Sequence, residues 1–423
     1  MEGSIPSNGL IVLAPIKPGL EAGLRATLNR IGNDIKGKRL ALTAAPEPHI
    51  DFPRSQTIHF ARLALLADPL HGPDRQRLLL VTDYDGSWRA HVAELLALTT
   101  EPSAIWGCCV GYTEPERFAG FIRTHMVEPQ AYYRAFPAVT LAQIRQALTT
   151  QAQANEPPVG LPPGSRLALL ATIAVDLLRL PAAARDLPGL LLRHGPLRSL
   201  LAARRVNATL DRVWWVWLFN RFTLNSYPAP RYPYSSAPVD TAADYAPATG
   251  ADEVVGRAAW EGTPGEDNVS QNQLTLVTVV RPEQLARLQA VLAVIDLYAQ
   301  RLAGQGSLVG IGTIHTVRWA LLDGGQRLLL ASNYDGTWEN YIDEFAEMIC
   351  SGLDGIWESS YGFPELGAQD VVALKQFLRC HQAPANVFYS AYPAATVLNI
   401  ADGLQLEQQE TSPVLATTPS EAT

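Results

Sequence analysis

Cysteine is scarce in this chain: 423 residues hold four, Cys108, Cys109, Cys350 and Cys380. Two are adjacent and no CxxC pair occurs, which excludes a disulfide framework and a zinc site of ordinary ligand spacing. Buried reduced thiols and a cytoplasmic compartment are the expectation. Charge is low as well, at 17% of residues with a net −8. Nothing here supplies the concentrated basic surface that nucleic acid requires, so no nucleic-acid partner is expected. Long hydrophobic runs are missing. The longest, Leu167 to Leu180, already contains Asp176 and Arg179 and falls short of the ~20 residues that span a bilayer. The opening MEGSIPSNGLIVLAPI lacks a basic n-region and is interrupted by Pro15, so no secretory signal is read there. There is no GxGxxG after a strand, no GxxxxGK[ST], no HExxH and no GxSxG. Those absences argue against a nucleotide enzyme, a zincin and an α/β-hydrolase.

What the chain does have is an internal repeat. TIHFARLALLAD recurs as TIHTVRWALLDG, setting His59 and Arg62 against His315 and Arg318. LLLVTDYDGSW recurs as LLLASNYDGTW, setting Asp85 and Trp88 against Asp335 and Trp338. AIWGCCVGYTEPE matches GIWESSYGFPELG, and FIRTHMVEPQAYYRAFPAVTLAQI matches FLRCHQAPANVFYSAYPAATVLNI, which pairs His125 with His381. Four ordered matches at nearly constant separation define two modules, 9–148 and 272–401.

Each module reads strand, helix, strand, strand, helix, strand. In the second, LTLVTVV alternates as a strand does, and Pro282 opens an apolar-periodic helix. TVRWALLD and RLLLASNY flank the turn Gly324-Gly325-Gln326 as a hairpin. Thr337 stands where the N-cap of the next helix is needed, as Ser87 does in the first module. DGIWESSYGF and AIWGCCVGY are read as the fourth strands. This βαββαβ order is ferredoxin-like, with both helices on one face of an antiparallel sheet. Two such sheets in one chain can cover each other's open faces. The expected fold is therefore α+β, two ferredoxin-like modules forming a pseudo-symmetric α+β barrel with a helical insert between them.

Between the modules the pattern changes. Residues 149–164 read as a Pro-rich linker. Residues 165–225 carry Leu-rich stretches with nine arginines from Arg166 to Arg221 and the run VWWVWLFNRF. That composition suits either a helical lid or a segment that docks on a membrane surface or protein partner. Residues 226–271 read as an irregular connector, and 402–423 as a disordered tail.

The repeated ionisable residues are the candidate chemistry. Strand alternation puts His59 and Arg62 on opposite faces, so that His59 and His315 are either hydrogen-bonded core residues or groups facing an interior cavity. Asp85 and Asp335 serve either the turn alone or acid/base work. Arg62 and Arg318 either bind an anionic group or pair with one of these aspartates. His125 and His381 end helical stretches, where a histidine can bond last-turn carbonyls or ligate haem iron axially.

The blocks EDNVSQNQLTLVTV, GTIHTVRWALLD, LLLASNYDGTWENYIDEF and ANVFYSAYPAATVLNI resemble an uncharacterised bacterial tandem-repeat family, the likeness covering nearly all of the second module. More distantly, the double ferredoxin-like plan is similar to the dimeric α+β-barrel superfamily, which includes dye-decolorising peroxidases, chlorite dismutase-like haem proteins and small cofactor-free monooxygenases. That resemblance implies a haem-dependent peroxidase-like or a monooxygenase-like oxidoreductase with a pocket between the sheets. His125 or His381 would be the axial ligand, and Asp85 or Asp335 the proton-handling group. The peroxidases' GxxDG motif with its following arginine is not matched, because NYDGTW and DYDGSW lack both the leading glycine and the arginine. The rival expectation is a non-enzymatic protein that holds a small lipophilic molecule, or a scaffold docking through residues 165–222, peripheral to the inner membrane face. Oligomeric state stays open.

Overall fold

The computed structural model describes residues 7–36, 49–68, 72, 75–155, 270–301 and 306–411. The first module contributes β1 (Ser7–Pro15), α1 (Glu21–Ile35), β2 (Ile58–Ala67), β3 (Gln76–Asp85), α2 (Trp88–Leu98), α3 (Pro102–Ile105), α4 (Phe118–His125), β4 (Ala131–Arg134) and α5 (Leu141–Asn155). The second contributes β5 (Gln271–Val279), α6 (Leu285–Arg301), β6 (Ile314–Leu322), β7 (Arg327–Asp335), α7 (Trp338–Trp357), α8 (Val371–Cys380), β8 (Ala385–Ser390) and α9 (Val397–Thr411).

The helix starts follow the expected chemistry. Gly86 and Gly336 take φ values of 88° and 81°, the left-handed region that glycine enters without a Cβ penalty. The next residue in each turn caps the following helix: Ser87 accepts from the Ala90 N–H and Thr337 from the Asn340 N–H. Alternation along the strands separates two faces. On β2, Ala61, Leu63 and Leu65 join the core beneath the first module's helices. Ala64 and Leu66 instead meet Ala320, Leu322, Leu329 and Ala331 of the second module. The two sheets thus pack on each other through their helix-free faces, and helices cover the outer faces.

The closing strands differ from expectation. The sheets run β1-β3-β2-β8 and β4-β6-β7-β5, so each module's last strand is added to the other module's sheet. Phe388 pairs with Arg62 on β2, and Tyr132 pairs with Arg318 on β6. AIWGCCVGY and DGIWESSYGF are not strands. Ile105 and Trp106 are buried at the end of α3, and Ile356 and Trp357 at the end of α7. Only Cys109 and Ser360 reach an edge, as single bridges to Ile16 and Val280. The apolar residues there satisfy a helix packed on a sheet as well as they would a strand, so local pattern does not separate the two. The result is two separate four-stranded antiparallel sheets joined by reciprocal strand exchange, rather than one closed barrel.

Two boundaries also move. Helix α5 continues to Asn155, through the start of the expected linker at 149–164. Helix α9 runs to Thr411, into the expected tail at 402–423. The expected insert at 165–225 and the connector up to 269 lie outside the described residues. Among the described residues no helix is long and apolar enough to cross a membrane.

Candidate functional sites

The two repeated histidines occupy equivalent irregularities. The β2–β3 register shifts between Ile58 and Phe60, and the β6–β7 register between Ile314 and Thr316, so His59 and His315 are the extra residues of two β-bulges. A bulge re-aims one side chain and breaks alternation. This corrects the opposite-face reading of His59 and Arg62, since both reach groups between the sheets.

His59 Nε2 lies 2.9 Å from Asp85 Oδ1, and His315 Nε2 lies 2.7 Å from Asp335 Oδ1. Each carboxylate uses its other oxygen to accept a helix N–H, Leu141 at the start of α5 and Val397 at the start of α9, both at 2.7 Å. The histidine carbonyls accept the exchanged arms, Ala391 N–H on His59 and Ala135 N–H on His315. A carboxylate acceptor places a proton on Nε2, and His59 Nδ1 lies 3.3 Å from the Tyr392 hydroxyl. Burial, with Asp83 and Asp85 nearby, raises Tyr392 well above its ordinary value and keeps it a donor. Asp85 and Asp335 therefore bind histidines rather than Arg62 and Arg318, and each pins a helix to a strand end.

His59 and His315 border a small cavity of about 20 Å³, shared with Asp83, Arg134, Thr316 and Tyr392. That volume suits a single water molecule. Arg62 and Arg318 cross the sheet interface. The Arg62 guanidinium donates to Gln273, to the Leu274 carbonyl, to Thr275, and to Ser332 O at 2.5 Å and Asn333. Burial and the Arg318 charge lower its pKa to about 9, and the oxygen acceptors around it hold the cation at neutral pH. Arg318 donates to the Thr82 carbonyl and pairs with Asp83, and lies 4.3 Å over the Tyr132 ring. Gly9 makes room for this group, because a Cβ there would stand 2.8 Å from both Arg318 Nη1 and Tyr132 Cε1. Asp83 is not among the residues that the sequence pattern singles out. The signal was an aspartate inside an apolar strand, two residues from Val81 and on its face. Its repeat counterpart is Asn333, so one carboxylate serves two buried guanidinium groups.

His125 and His381 stand at helix ends. Their Nδ1 atoms bond the Phe121 and Phe377 carbonyls at 2.9 and 2.8 Å, and their rings lie against those phenylalanines at 4.8 and 4.5 Å. Burial lowers the His381 pKa. Neither residue lines the cavity between the sheets or the larger one described next. The residues read as haem ligands do not fit the group: they line neither cavity, and the cavity between the sheets, at about 20 Å³, is far too small for it. Among the described residues no cluster of His, Cys, Asp or Glu suits a metal ion. Burial pushes Cys109 up to about 12, which makes it an inert core thiol.

The larger cavity lies in the second module, between its sheet and helices α6 and α7. Its volume is about 110 Å³. Leu274, Val291, Trp319, Phe345, Leu353 and Trp357 form much of the wall, and among the described residues no Asp, Glu, Lys or Arg contributes. Helix α7 departs from helical geometry at Ile349 (φ −140°, ψ 39°), where Ile349 and Gly352 border the cavity. Individually these residues read as ordinary core, and no motif in the sequence announced the space they enclose. Compared with known family models, curated proteins and solved structures, the chain matches none.

Proposed function

We propose that this chain is a binding protein rather than an enzyme, and that its second module holds a small, uncharged lipophilic molecule. One observation carries the reading: a cavity of about 110 Å³ whose wall, among the described residues, carries no charged side chain. An apolar cavity of about 150 Å³ stays dry and takes up benzene; this one, at about 110 Å³, suits a guest no larger than one small ring. Water gains little there for want of polar partners, whereas an apolar guest removes its own surface from water and regains dispersion contacts. A charged guest would lose hydration without finding a counter-ion.

The dyads between the sheets support this division of labour. His59 and His315 bond Asp85 and Asp335, which in turn hold the starts of α5 and α9, and the cavity that the histidines border, about 20 Å³, is too small for an organic substrate. Oxidoreductase chemistry gains no support from that geometry. The surface-docking reading of 165–222 falls outside the described residues.

Titration of the full chain with fluorobenzene, followed by ¹⁹F NMR and by thermal shift, tests the proposal. Saturable binding is expected, and Val291→Phe, which fills the cavity from α6, should abolish it while the circular dichroism spectrum stays unchanged. A folded wild-type chain that takes up no fluorobenzene, or a Val291→Phe chain that binds as wild type does, refutes it.

A further inference from the structure

The repeat itself supplies a comparison for the cavity. In the first module residues 49–52, ahead of β2, pack beneath the helices. Ile50 forms a bridge with Thr99, just past the end of α2, and the Asp51 N–H donates to the Leu98 carbonyl. Phe52 is fully buried in the first module's core and stacks on Tyr389 with ring centroids 5.2 Å apart. In the second module, Leu308 follows in register with Phe52 at the offset relating His59 to His315. Leu308 lines the cavity. Ile349, in register with Thr99 at the offset relating Asp85 to Asp335, also lines it. Where the first module buries Phe52 in its core, the second places Leu308 on the cavity wall.

We infer that the guest of the second module is a neutral aromatic ring, seated where the first module's Phe52 has its counterpart. The inference rests on the proposed binding function and narrows it to a chemical class. The wall favours a ring: Tyr298, Trp319, Tyr341, Phe345 and Trp357 all border the space, and aromatic pairs gain from offset or edge-to-face contacts beyond area burial. Tyr341 is itself stacked on Tyr334 at 3.9 Å, so this part of the wall is held in place before a guest arrives. A flexible chain would lose rotamer freedom on entry, whereas a ring of one or two substituents loses little.

The test compares toluene, methylcyclohexane and hexanoate on the full chain by calorimetry and thermal shift, then repeats the toluene titration on Phe52→Leu. That substitution gives the first module the residue that the second already has. Toluene is expected to bind at one equivalent, at least tenfold more tightly than methylcyclohexane, with hexanoate inert. Phe52→Leu should raise the stoichiometry toward two. Equal affinity for toluene and methylcyclohexane would overturn the ring assignment while leaving apolar binding intact. Absence of binding by all three would remove the binding function and the ring assignment together. If Phe52→Leu fails to fold, the ring-against-cyclohexane comparison on the wild type still decides the class. A folded Phe52→Leu chain that stays at one equivalent would overturn the correspondence with Phe52.

Discussion

At the scale of single residues, the repeat shows how one position is filled in two ways. His91 stacks on Tyr84 at 3.7 Å and bonds Thr82 at 2.8 Å; its counterpart Tyr341 stacks on Tyr334 and bonds Ser332 at 2.6 Å. Burial lowers the His91 pKa from 6.5 to about 3, so the folded state keeps it neutral while the unfolded chain takes a proton near pH 6.5. Between those values the unfolded state binds more protons, and stability falls as pH falls. The stabilisation is complete above pH 6.5 and is lost progressively toward pH 3, by an amount on the order of 5 kcal/mol. His91→Tyr, which copies the second module, should flatten this component of the stability–pH curve measured by urea unfolding from pH 7 to pH 4. An unchanged slope in that window would assign the acid sensitivity to other groups. Asp83 shows the opposite case, a buried carboxylate that earns its place by charge: it stands among Arg318, the Tyr132 hydroxyl and Asn333, and without it two guanidinium groups would face each other with neutral acceptors alone.

At the scale of elements, the His–Asp dyads act as latches. Asp335 accepts from His315 and from the first N–H of α9, and the helix N-terminus favours the negative charge. Asp335→Ala should cost about 1–3 kcal/mol, the range for a buried donor losing its acceptor. Amide exchange should accelerate first at the beginning of α9, as read by hydrogen–deuterium exchange. Thr337→Ala, which removes only the α7 cap, is expected to cost about 1 kcal/mol and to leave α9 protected. If Asp335→Ala loosens all elements equally, the latch is not local. The two latch pairs were legible as repeated residues, and the strands and helices around them as periodicities of two and 3.6. Their pairing was not. The bulges at His59 and His315 shift the parity that alternation relies on, and nothing in the YDG[ST]W turn says which helix start its aspartate will hold. The exchanged strands escaped for a related reason: AYYR and ANVFYS are short, and strand propensity identifies a strand without naming its neighbour. The cavity escaped because it is defined by what Leu308 and Gly352 leave unfilled.

At the scale of the whole molecule, reciprocal exchange makes the two modules obligate partners. The first sheet lacks an edge without β8, and the second lacks one without β4. Helices α5 and α9 then pack together, closely enough that a Cβ on Gly403 would stand 2.4 Å from the Ala147 carbonyl oxygen. Charge reinforces the join at the opposite end, where Asp323 of the second module takes Arg77 of the first at 2.7 Å as well as its own neighbour Arg327 at 2.5 Å. A fragment holding residues 270–423 alone would present the β6 edge unpaired, an invitation to another strand. The strand it carries to offer is β8, the repeat counterpart of β4, so two copies can satisfy each other by swapping it. Native mass spectrometry of that fragment is expected to show a dimer. Mixing it with residues 1–155 should give a one-to-one heterodimer with the far-ultraviolet spectrum of the intact chain's two modules. A fragment that is stably folded as a monomer would mean that β8 can return to its own sheet, and that the exchange is a choice of the linked chain rather than a requirement of each module.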